Sequence, residues 1–297
     1  MKIYLNNPND DWICGRLYKE WYNNNPTIST HNPNEADIIW VISGWQWKDL
    51  DYNLLQTKKV ILTVHHIVPN KFNEQEFKKR DTIVDKYHVP CELTKQQISK
   101  YTDKPIFVIP FWVNNKLWYP LNKNICREEL NLPTDKTLIG SFQRDTEGSD
   151  LITPKLEKGP DLFCDIVEQW SQDTSIEVVL AGWRRQYVMK RLSEIGIKYH
   201  YFELPHLDTL NKLYNSLDLY LVASRYEGGP QAIVECALNK TPIISTKVGL
   251  APEILSPKSI IGETLDPEPD TNYAYNNIKK YIIPKGFNLF IKNFYEN

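Results

Sequence analysis

Short apolar runs rich in β-branched residues alternate along this chain with longer segments that have helical spacing. This alternation predicts parallel β-strands covered by helices on both faces, and therefore an α/β fold. The runs form two series, separated by a polar segment that carries prolines. The first series comprises residues 2–5, 37–42, 59–64, 82–89 and 105–110, and the second comprises 137–142, 176–182, 199–204, 217–224 and 241–248.

The polar segment between the two series lacks a clear apolar period, and we place the linker there, at about residues 114–126. We expect a first Rossmann-like domain over residues 1–118 and a second over 119–279. The tail, at about 280–297, has aromatic residues at helical spacing and is predicted to pack back on the first domain as a helix. Two doubly wound domains of this kind face each other across a cleft, where we expect the active site.

Composition and charge narrow the class of protein. The chain has 297 residues, of which 41% are hydrophobic and 24% charged, as in soluble globular proteins. Its net charge of -2 produces no overall positive electrostatic potential that would attract nucleic acid. We therefore expect no nucleic-acid partner and at most peripheral membrane contact. The apolar runs are too short to span a bilayer, the N-terminal segment has no signal-peptide pattern, and a cytoplasmic protein is expected. The five cysteines show no CxxC pair and are expected to be buried thiols.

The segment SRYEGGPQAIVECALNKTPIIST carries the most chemistry. A strand ends there, a tight loop holds Glu227, and a helix is predicted to begin at Pro230, a residue that suits the first helical position. The free amides of a helix start bind anions such as a pyrophosphate, and two glycines let the backbone approach one closely. Glu235 lies roughly 7 Å along the helix, about the reach of a diphosphate, where its carboxylate suits a ribose diol while Glu227 meets a sugar. The predicted donor-binding residues here are Gly228, Gly229, Pro230, Gln231, Ala232 and Glu235.

This segment resembles the retaining GT-B glycosyltransferases of family four, whose signature is Glu, seven residues and Glu, followed by a helix and a strand that ends in a VGG-like turn. Here EGGPQAIVE is followed by ALNKTPIISTKVGLAPEIL, with Gly-Gly-Pro where the family usually has Gly-Phe-Gly. LIGSFQRD resembles the family's strand ending in Arg, KGPDLF its Lys-Gly helix start, VILTVHH its strand ending in His, and VNNKLWYP its interdomain motif. The match runs from about residue 60 to 255.

The resemblance implies a GT-B fold and transfer of a sugar from a UDP-, GDP- or ADP-sugar to a hydroxyl acceptor, with retention at the anomeric carbon. It implies that Arg144 and Lys158 face the diphosphate and stabilise the charge that develops there. His65 would touch the transferred sugar, with His66 as the alternative histidine. The expected catalytic residues are His65, Arg144, Lys158 and Glu227.

The base of the nucleotide is expected to contact backbone near Leu204 and Pro205. No cofactor and no metal are expected, because arginine, lysine and the helix dipole take the place of a divalent ion. The Asp-x-Asp pair Asp49 and Asp51 follows a Trp-rich segment rather than a strand, so we do not expect it to bind metal.

The acceptor is expected to be a glycan, a glycoconjugate or a lipid-linked sugar. Trp45 and Trp47, in the loop-like GWQWKD, and Gly15 are the acceptor-side candidates, although core packing is the commoner role of tryptophan. Two alternatives remain open. A nucleotide-sugar epimerase-like GT-B enzyme would need carboxylates arranged for proton abstraction, and a catalytically silent nucleotide-sugar-binding module would be favoured if Arg144 or Lys158 did not reach the diphosphate.

Overall fold

The chain divides into two compact units. The computed structural model describes residues 1–10, 12–148, 150–264 and 266–296. One unit comprises Met1–Trp112 with Ile283–Asn297, and the other comprises Val113–Ile282. Residues 113–118, which we expected in the first domain, therefore belong to the second unit, as do residues 280–282, which we assigned to the C-terminal helix.

The first unit contains a five-stranded parallel sheet in the order β1-β2-β3-β4-β5. Its strands are β1 (Ile3–Leu5), β2 (Ile38–Val41), β3 (Lys59–Thr63), β4 (Lys86–Val89) and β5 (Ile106–Val108). Four helices follow its first four strands: α1 (Ile13–Asn24), α2 (Tyr52–Thr57), α3 (Glu74–Asp81) and α4 (Glu92–Ile98).

The winding of this sheet reverses at β1. After α1, the chain runs along the outer edge of β1, where Ile3 N donates to Ile28 O at 2.8 Å and Thr30 N donates to Ile3 O at 3.0 Å. It then returns to the other side of β1 to form β2. The carboxyl ends of β1 and β2 are therefore the switch point of this unit, the position at which open α/β sheets bind ligands.

The second unit contains a six-stranded parallel sheet in the order β11-β10-β9-β6-β7-β8. The strands are β6 (Thr137–Ser141), β7 (Ile176–Ala181), β8 (Tyr199–Phe202), β9 (Leu219–Val222), β10 (Ile243–Thr246) and β11 (Ile260–Ile261). The helices are α5 (Lys123–Glu129), α6 (Pro160–Trp170), α7 (Gln186–Glu194), α8 (Leu207–Ser216), α9 (Gln231–Asn239), α10 (Ala251–Ile254) and α11 (Thr271–Ile278). The chain winds from β6 outward in both directions, so the switch point lies between β6 and β9.

The C-terminal helix, α12 (Lys285–Tyr295), packs on the first unit. Phe290 and Phe294 are fully buried against Trp40, and Phe287 contacts Trp21. The opposite face of the same sheet packs against α2, α3 and α4 through a hydrophobic cluster. The helix thus covers the sheet face that α2, α3 and α4 leave open.

The cysteine prediction is confirmed, since all five cysteines are buried free thiols. Among the helices in the described part of the chain, none combines the length and the apolar character needed to cross a membrane.

Candidate functional site

Three segments meet at the switch point of the second unit. The end of β6 leads to Gln143, the end of β9 leads to Ser224, and a short 3-10 helix ends at Lys158. Gln143 Nε2 donates to Lys158 O at 2.8 Å, and Ser224 Oγ lies 3.3 Å from Gln143 Oε1. These hydrogen bonds hold the three segments together at one edge of the sheet.

Gly159 explains why Lys158 can lie so close to the end of β9. Its φ is +60°, and a Cβ at this position would lie 1.9 Å from Ala223 O. The backbone could not approach this closely with any other residue, since a Cβ here would clash and the conformation favours glycine. The Lys-Gly pair recognised in the sequence therefore sets the position of the lysine.

Lys158 and Glu227, both predicted as catalytic residues, form an ion pair. Lys158 Nζ donates to Glu227 Oε1, although the two residues are 69 positions apart in the chain. The side chains are 21% and 9% exposed. Ser224 Oγ lies 3.4 Å from the same carboxylate oxygen. The pair is therefore held at the sheet edge by neighbouring polar groups.

Arg144 lies half-buried in the segment that follows β6, directly before Asp145. Arg185 is almost fully buried, and its Nε lies 3.2 Å from Asp145 Oδ2. Val188 N also donates to Asp145 Oδ2, at 3.2 Å. Burial raises the pKa of Asp145, and the positive charge of Arg185 opposes that rise. This buried pair fixes the backbone next to Arg144.

Lys155 is a cation of this site that the sequence analysis missed. Burial lowers the pKa of its ammonium, Glu157 raises it, and the charges of Arg144 and Lys158 lower it further. Lys155 Nζ pairs with Glu157 Oε1 at 3.2 Å. Arg144, Lys155 and Lys158 thus form one group of positive charges, which we call the cation group. The sequence KLEK could have indicated the role of Lys155, because its spacing places Lys155 one 3-10 turn before Lys158.

The loop before α9 is supported by the turn after β10. Leu250 N donates to Gly228 O at 2.7 Å. Gly249 has φ +52°, and a Cβ there would lie 2.1 Å from Gly228 O. The turn at residues 248–250 therefore requires glycine at position 249 in order to pack against the loop that contains Gly228 and Gly229, which we call the glycine loop. The helix begins at Gln231 with Pro230 as its N-cap, one residue later than expected.

Glu235 lies one turn into α9 and is 4% exposed. Tyr214 OH donates to Glu235 Oε2 at 2.7 Å, which fixes the orientation of the carboxylate. Burial raises the pKa of Tyr214 well above its usual range, and the charge of Glu235 adds to the rise, so the hydroxyl keeps its proton and remains a donor. Tyr214, which comes from α8, was also missed by the sequence analysis.

Leu204 and Pro205 follow β8. Leu204 has φ +45° and is 65% exposed. A left-handed backbone is rare for a residue of this size and persists only where the surrounding chain imposes it. The loop predicted to contact the base is thus a strained, exposed turn.

In the first unit, His65 follows β3 and lies near the switch point of that sheet. Its Nε2 is 2.8 Å from Ile42 O and 3.8 Å from Cys14 Sγ. Since a carbonyl oxygen only accepts, Nε2 carries a proton. The ring stacks on Phe111 with centroids 5.6 Å apart. His66, the alternative histidine, is half-buried beside it.

The acceptor-side candidates differ in exposure. Trp45 is 63% exposed, and its ring centroid lies 6.0 Å from that of His65. Trp47 is instead partly buried and packs against the hydrophobic cluster between the sheet of the first unit and α2, α3 and α4. Gly15 is buried under the loop before α1, and a Cβ there would lie 1.9 Å from Asp10 O. Trp45 is therefore the candidate whose ring is open to a ligand.

Within the described ranges, no group of three or more His, Cys, Asp or Glu side chains is placed to hold a metal ion. Asp51 caps α2, since its Oδ1 accepts from Asn53 N at 2.9 Å.

Comparison with known proteins supports the family resemblance. The sequence model of the family described as "Glycosyl transferases group 1" matches residues 153–282, which include Lys158, Glu227 and Glu235. No curated protein matches the sequence.

Solved structures with the same fold cover most of this chain. HepE from Anabaena, in complex with UDP, is 13% identical, and the match covers 99% of each chain at a TM-score of 0.72. Sucrose-phosphate synthase from Thermosynechococcus elongatus is 17% identical, and the match covers 89% of this chain and 66% of that one at a TM-score of 0.61. The pneumococcal O-GlcNAc transferase GtfA, in complex with UDP and GlcNAc, is 16% identical, with coverage of 86% and 56% at a TM-score of 0.60.

At these identities the structural likeness concerns the fold alone, and that fold agrees with the two parallel sheets and their interleaved helices. The predicted fold class is confirmed: the chain has the GT-B fold, and residues 153–282 of its second unit are similar to the group 1 glycosyltransferases.

Proposed function

We propose that the protein is a retaining glycosyltransferase that moves a sugar from a nucleotide diphosphate sugar to a hydroxyl of a glycan, a glycoconjugate or a lipid-linked sugar. The observation that carries this proposal is the meeting of Lys158 and Glu227 at the switch point of the second sheet, beside the start of α9. The UDP held by HepE, and the UDP and GlcNAc held by GtfA, support a nucleotide sugar as donor.

The cation group would receive the diphosphate. When the anomeric bond breaks, negative charge develops on the diphosphate, and fixed cations stabilise this transition state more than the ground state. A bound phosphate would compete with Glu227 for Lys158. The carboxylate of Glu227 would then be available to accept hydrogen bonds from hydroxyls of the transferred sugar.

Glu235 would hold the ribose. A carboxylate accepts hydrogen bonds from both hydroxyls of a vicinal diol, and Tyr214 already orients this one. The strained turn at Leu204 and Pro205 would contact the base through backbone groups, which is why side chains do not identify the nucleotide.

The chemistry at the sugar would need no metal and no protein nucleophile. Leaving-group departure and acceptor attack would occur on one face of the sugar, with retention of configuration, and His65 would contact a sugar hydroxyl. The exposed ring of Trp45 suits stacking against an acceptor sugar. We further propose that this reaction takes place in the cytoplasm.

The test of the donor site is calorimetric titration of UDP, GDP, ADP and their sugars in the presence of EDTA. We expect one nucleotide class to bind the wild-type chain, and Glu235→Ala to weaken it about tenfold or more. Tyr214→Phe, which keeps the ring and removes only the hydroxyl, should weaken it less. Failure of the wild-type chain to bind any of these nucleotides would overturn the assignment.

The reaction class is tested separately, by NMR of the sugar after incubation with the bound donor and candidate glycan acceptors. A transferred sugar with unchanged anomeric configuration supports the proposal. Epimerised nucleotide sugar without transfer would assign the protein to the epimerase-like alternative, and donor binding without any turnover would assign it to the silent binding module.

The acceptor side is tested by Trp45→Ala, with Trp47→Ala as the matched control from the same short segment. Because Trp45 is exposed and Trp47 is partly buried against the core, Trp45→Ala should raise the KM for acceptor and leave the melting temperature near wild type. Trp47→Ala should lower the melting temperature. Unchanged acceptor kinetics in Trp45→Ala would exclude that ring from the acceptor site.

A further inference from the structure

A second ion pair lies beside that of Lys158 and Glu227. Arg225 Nη1 donates to Asp161 Oδ1, and Arg225 Nη2 donates to Asp161 Oδ2, both at 2.7 Å. Hydrogen bonding from Arg225 is the main cause that lowers the pKa of Asp161, so this carboxylate is charged at neutral pH. An arginine that binds both oxygens of one carboxylate fixes the orientation of the two groups as well as their distance.

This pair joins the two segments that carry the predicted catalytic residues. Arg225 lies in the loop after β9, two positions before Glu227. Asp161 lies in the first turn of α6, three positions after Lys158. The ion pair of Lys158 with Glu227 and that of Asp161 with Arg225 are therefore two links between the same two segments.

Backbone groups extend the second link to the 3-10 helix that ends at Lys158. Glu157 O accepts from Arg225 N at 2.9 Å and from Tyr226 N at 3.1 Å. Arg225 Nη1 also donates to Leu156 O at 3.0 Å. The side chain of Arg225 thus holds the loop before Glu227 against both the 3-10 helix and the start of α6.

The two links respond differently to a donor. In the proposed function a bound phosphate competes with Glu227 for Lys158, so the first link opens when the donor binds. The guanidinium of Arg225 already donates to three protein oxygen atoms, two on Asp161 and one on Leu156. The second link therefore stays closed when the first one opens.

We propose that Arg225 and Asp161 are positioning residues of the donor site, which hold the segments of Lys158 and Glu227 in place while a diphosphate separates those two side chains. This inference rests on the proposed function, because it requires a nucleoside diphosphate in the site. The side chains of Arg225 and Asp161 are 41% and 26% exposed. Exposed ion pairs contribute little to stability, so the effect of this pair should be seen in ligand binding and not in the melting temperature.

The chain offers a matched control on the same helix. Asp165 lies one turn after Asp161 on α6, and its Oδ1 is 2.9 Å from Nη2 of Arg191, which belongs to α7. This pair joins α6 to α7 and not to the loop before Glu227. Arg191→Met therefore removes the same charge from the same kind of pair and leaves the proposed link intact.

The experiment is calorimetric titration of whichever of UDP, GDP and ADP the wild-type chain binds, and of the matching nucleoside. The proteins are the wild type, Arg225→Met, Asp161→Asn, the double variant and Arg191→Met. We expect each single change in the pair to weaken the diphosphate about threefold to tenfold and to leave the nucleoside unchanged. The double variant should bind no more weakly than the weaker single variant, because either change alone breaks the pair. Arg191→Met should bind like wild type.

Asp161→Asn separates positioning from simple electrostatics. It removes a negative charge near the cation group, and this by itself would strengthen the binding of an anion. Weaker binding therefore supports positioning. Unchanged or tighter binding in Asp161→Asn, with weaker binding in Arg225→Met, would overturn the inference, because Arg225 would then act on the phosphates by its own charge.

Three further outcomes would also overturn the inference while leaving the proposed function intact. These are wild-type affinity in both single variants, losses that add in the double variant, and an equal loss in Arg191→Met. Thermal unfolding of each variant establishes that the proteins compared are folded. Failure of the wild-type chain to bind any nucleoside diphosphate would instead remove the proposed function, and this inference with it.

Discussion

Lys155 is the residue whose role is most directly testable apart from the predicted site residues. It belongs to the cation group, because the charges of Arg144 and Lys158 both act on its ammonium. Replacing it with methionine removes one positive charge and keeps the length of the side chain. We expect Lys155→Met to reduce the affinity for a nucleoside diphosphate about threefold to thirtyfold, and to make binding less sensitive to salt, as measured by titration at several ionic strengths.

Lys190→Met is the control for this change. Lys190 lies on α7 and is 73% exposed, with Glu194 as its surface partner. Its removal changes the net charge of the protein by the same amount. If the two variants lost affinity equally, the effect of Lys155 would be one of overall charge and not of position.

His88 is a buried histidine whose protonation opposes folding. Its Nε2 is 2.8 Å from Ile109 O, and its Nδ1 is 3.0 Å from Thr63 Oγ1, which itself accepts from Trp40 Nε1 at 2.9 Å. These partners fit a neutral ring with its proton on Nε2. Burial is the main cause that lowers the pKa of His88 to about 3, below its ordinary value of 6.5.

The lowered pKa of His88 predicts acid sensitivity of the first unit. Below pH 6.5 the unfolded chain binds a proton that the folded chain excludes until about pH 3, so stability present above pH 6.5 is lost as the pH falls. The loss is about 1.4 kcal/mol per pH unit, or about 2 kcal/mol at pH 5. Urea unfolding at pH 7.5 and pH 5, followed by tryptophan fluorescence, measures it. In His88→Gln this part of the loss should vanish; an unchanged loss would assign the acid sensitivity to other groups.

The sequence could predict a site residue when the residues that position it lie close to it in the chain. Lys158, Glu227 and Glu235 lie in short motifs whose local backbone, with Gly159 and the glycine loop, fixes their positions, and the structure brings Lys158 and Glu227 together. Tyr214 comes from a different helix and reaches Glu235 only through the folded packing. No local pattern marks such a residue, which explains why it was missed. The functional roles of all these residues remain predictions.

At the scale of elements, the apolar pattern predicted the presence of the strands more accurately than the residues at which they begin. The run 82–89 was predicted as one strand, but β4 begins at Lys86. Asp85 lies before the strand, where its Oδ2 accepts from Val60 N at 2.7 Å and its N donates to Val60 O at 2.9 Å. The hydrophobicity pattern alone does not show that such a polar residue, although hydrogen-bonded to the neighbouring strand, lies before the strand and not within it.

For the C-terminal helix, the sequence predicted the type of element correctly but not the residues at which it begins and ends. It was expected over about 280–297, whereas α12 spans Lys285–Tyr295, and residue 297 lies outside the described residues. Lys59 Nζ donates to Phe294 O at 3.0 Å, and Lys86 Nζ donates to Asn293 O at 2.9 Å. Lysines from two strands thus cap the end of the helix, a contact that matches its negative dipole end.

Because α12 covers one face of the first sheet, its aromatic residues should stabilise that unit. Phe290 is fully buried, and its ring contacts Trp40, His88 and Phe111. Phe290→Ala should reduce the free energy of unfolding by about 3–5 kcal/mol. Lys292→Ala, an exposed position on the same helix, should change it by less than about 0.5 kcal/mol. Urea unfolding measures both; similar small values would mean that the helix adds little to the core.

At the scale of the whole molecule, the two units provide separate reporters of ligand binding. The proposed donor-site residues, Lys158, Glu227, Gln231 and Glu235, all belong to the second unit, whereas the aromatic core under α12 belongs to the first. A ligand that binds only the folded state adds about 2.7 kcal/mol of stability when its concentration is a hundred times its Kd. This added stability slows hydrogen exchange at the backbone amides of the unit that holds the ligand.

We therefore expect a saturating nucleoside diphosphate to slow hydrogen exchange most strongly over residues 155–160 and 224–235, and to leave β4 and α12 near their unliganded rates. Mass spectrometry of peptides from each unit measures this, with Glu235→Ala at the same ligand concentration as the control that should lose the protection. Since the glycine loop is joined through Gly228 O to Leu250 N, protection should extend to the turn after β10. Slowed exchange confined to the first unit would place the nucleotide there and contradict the donor-site assignment.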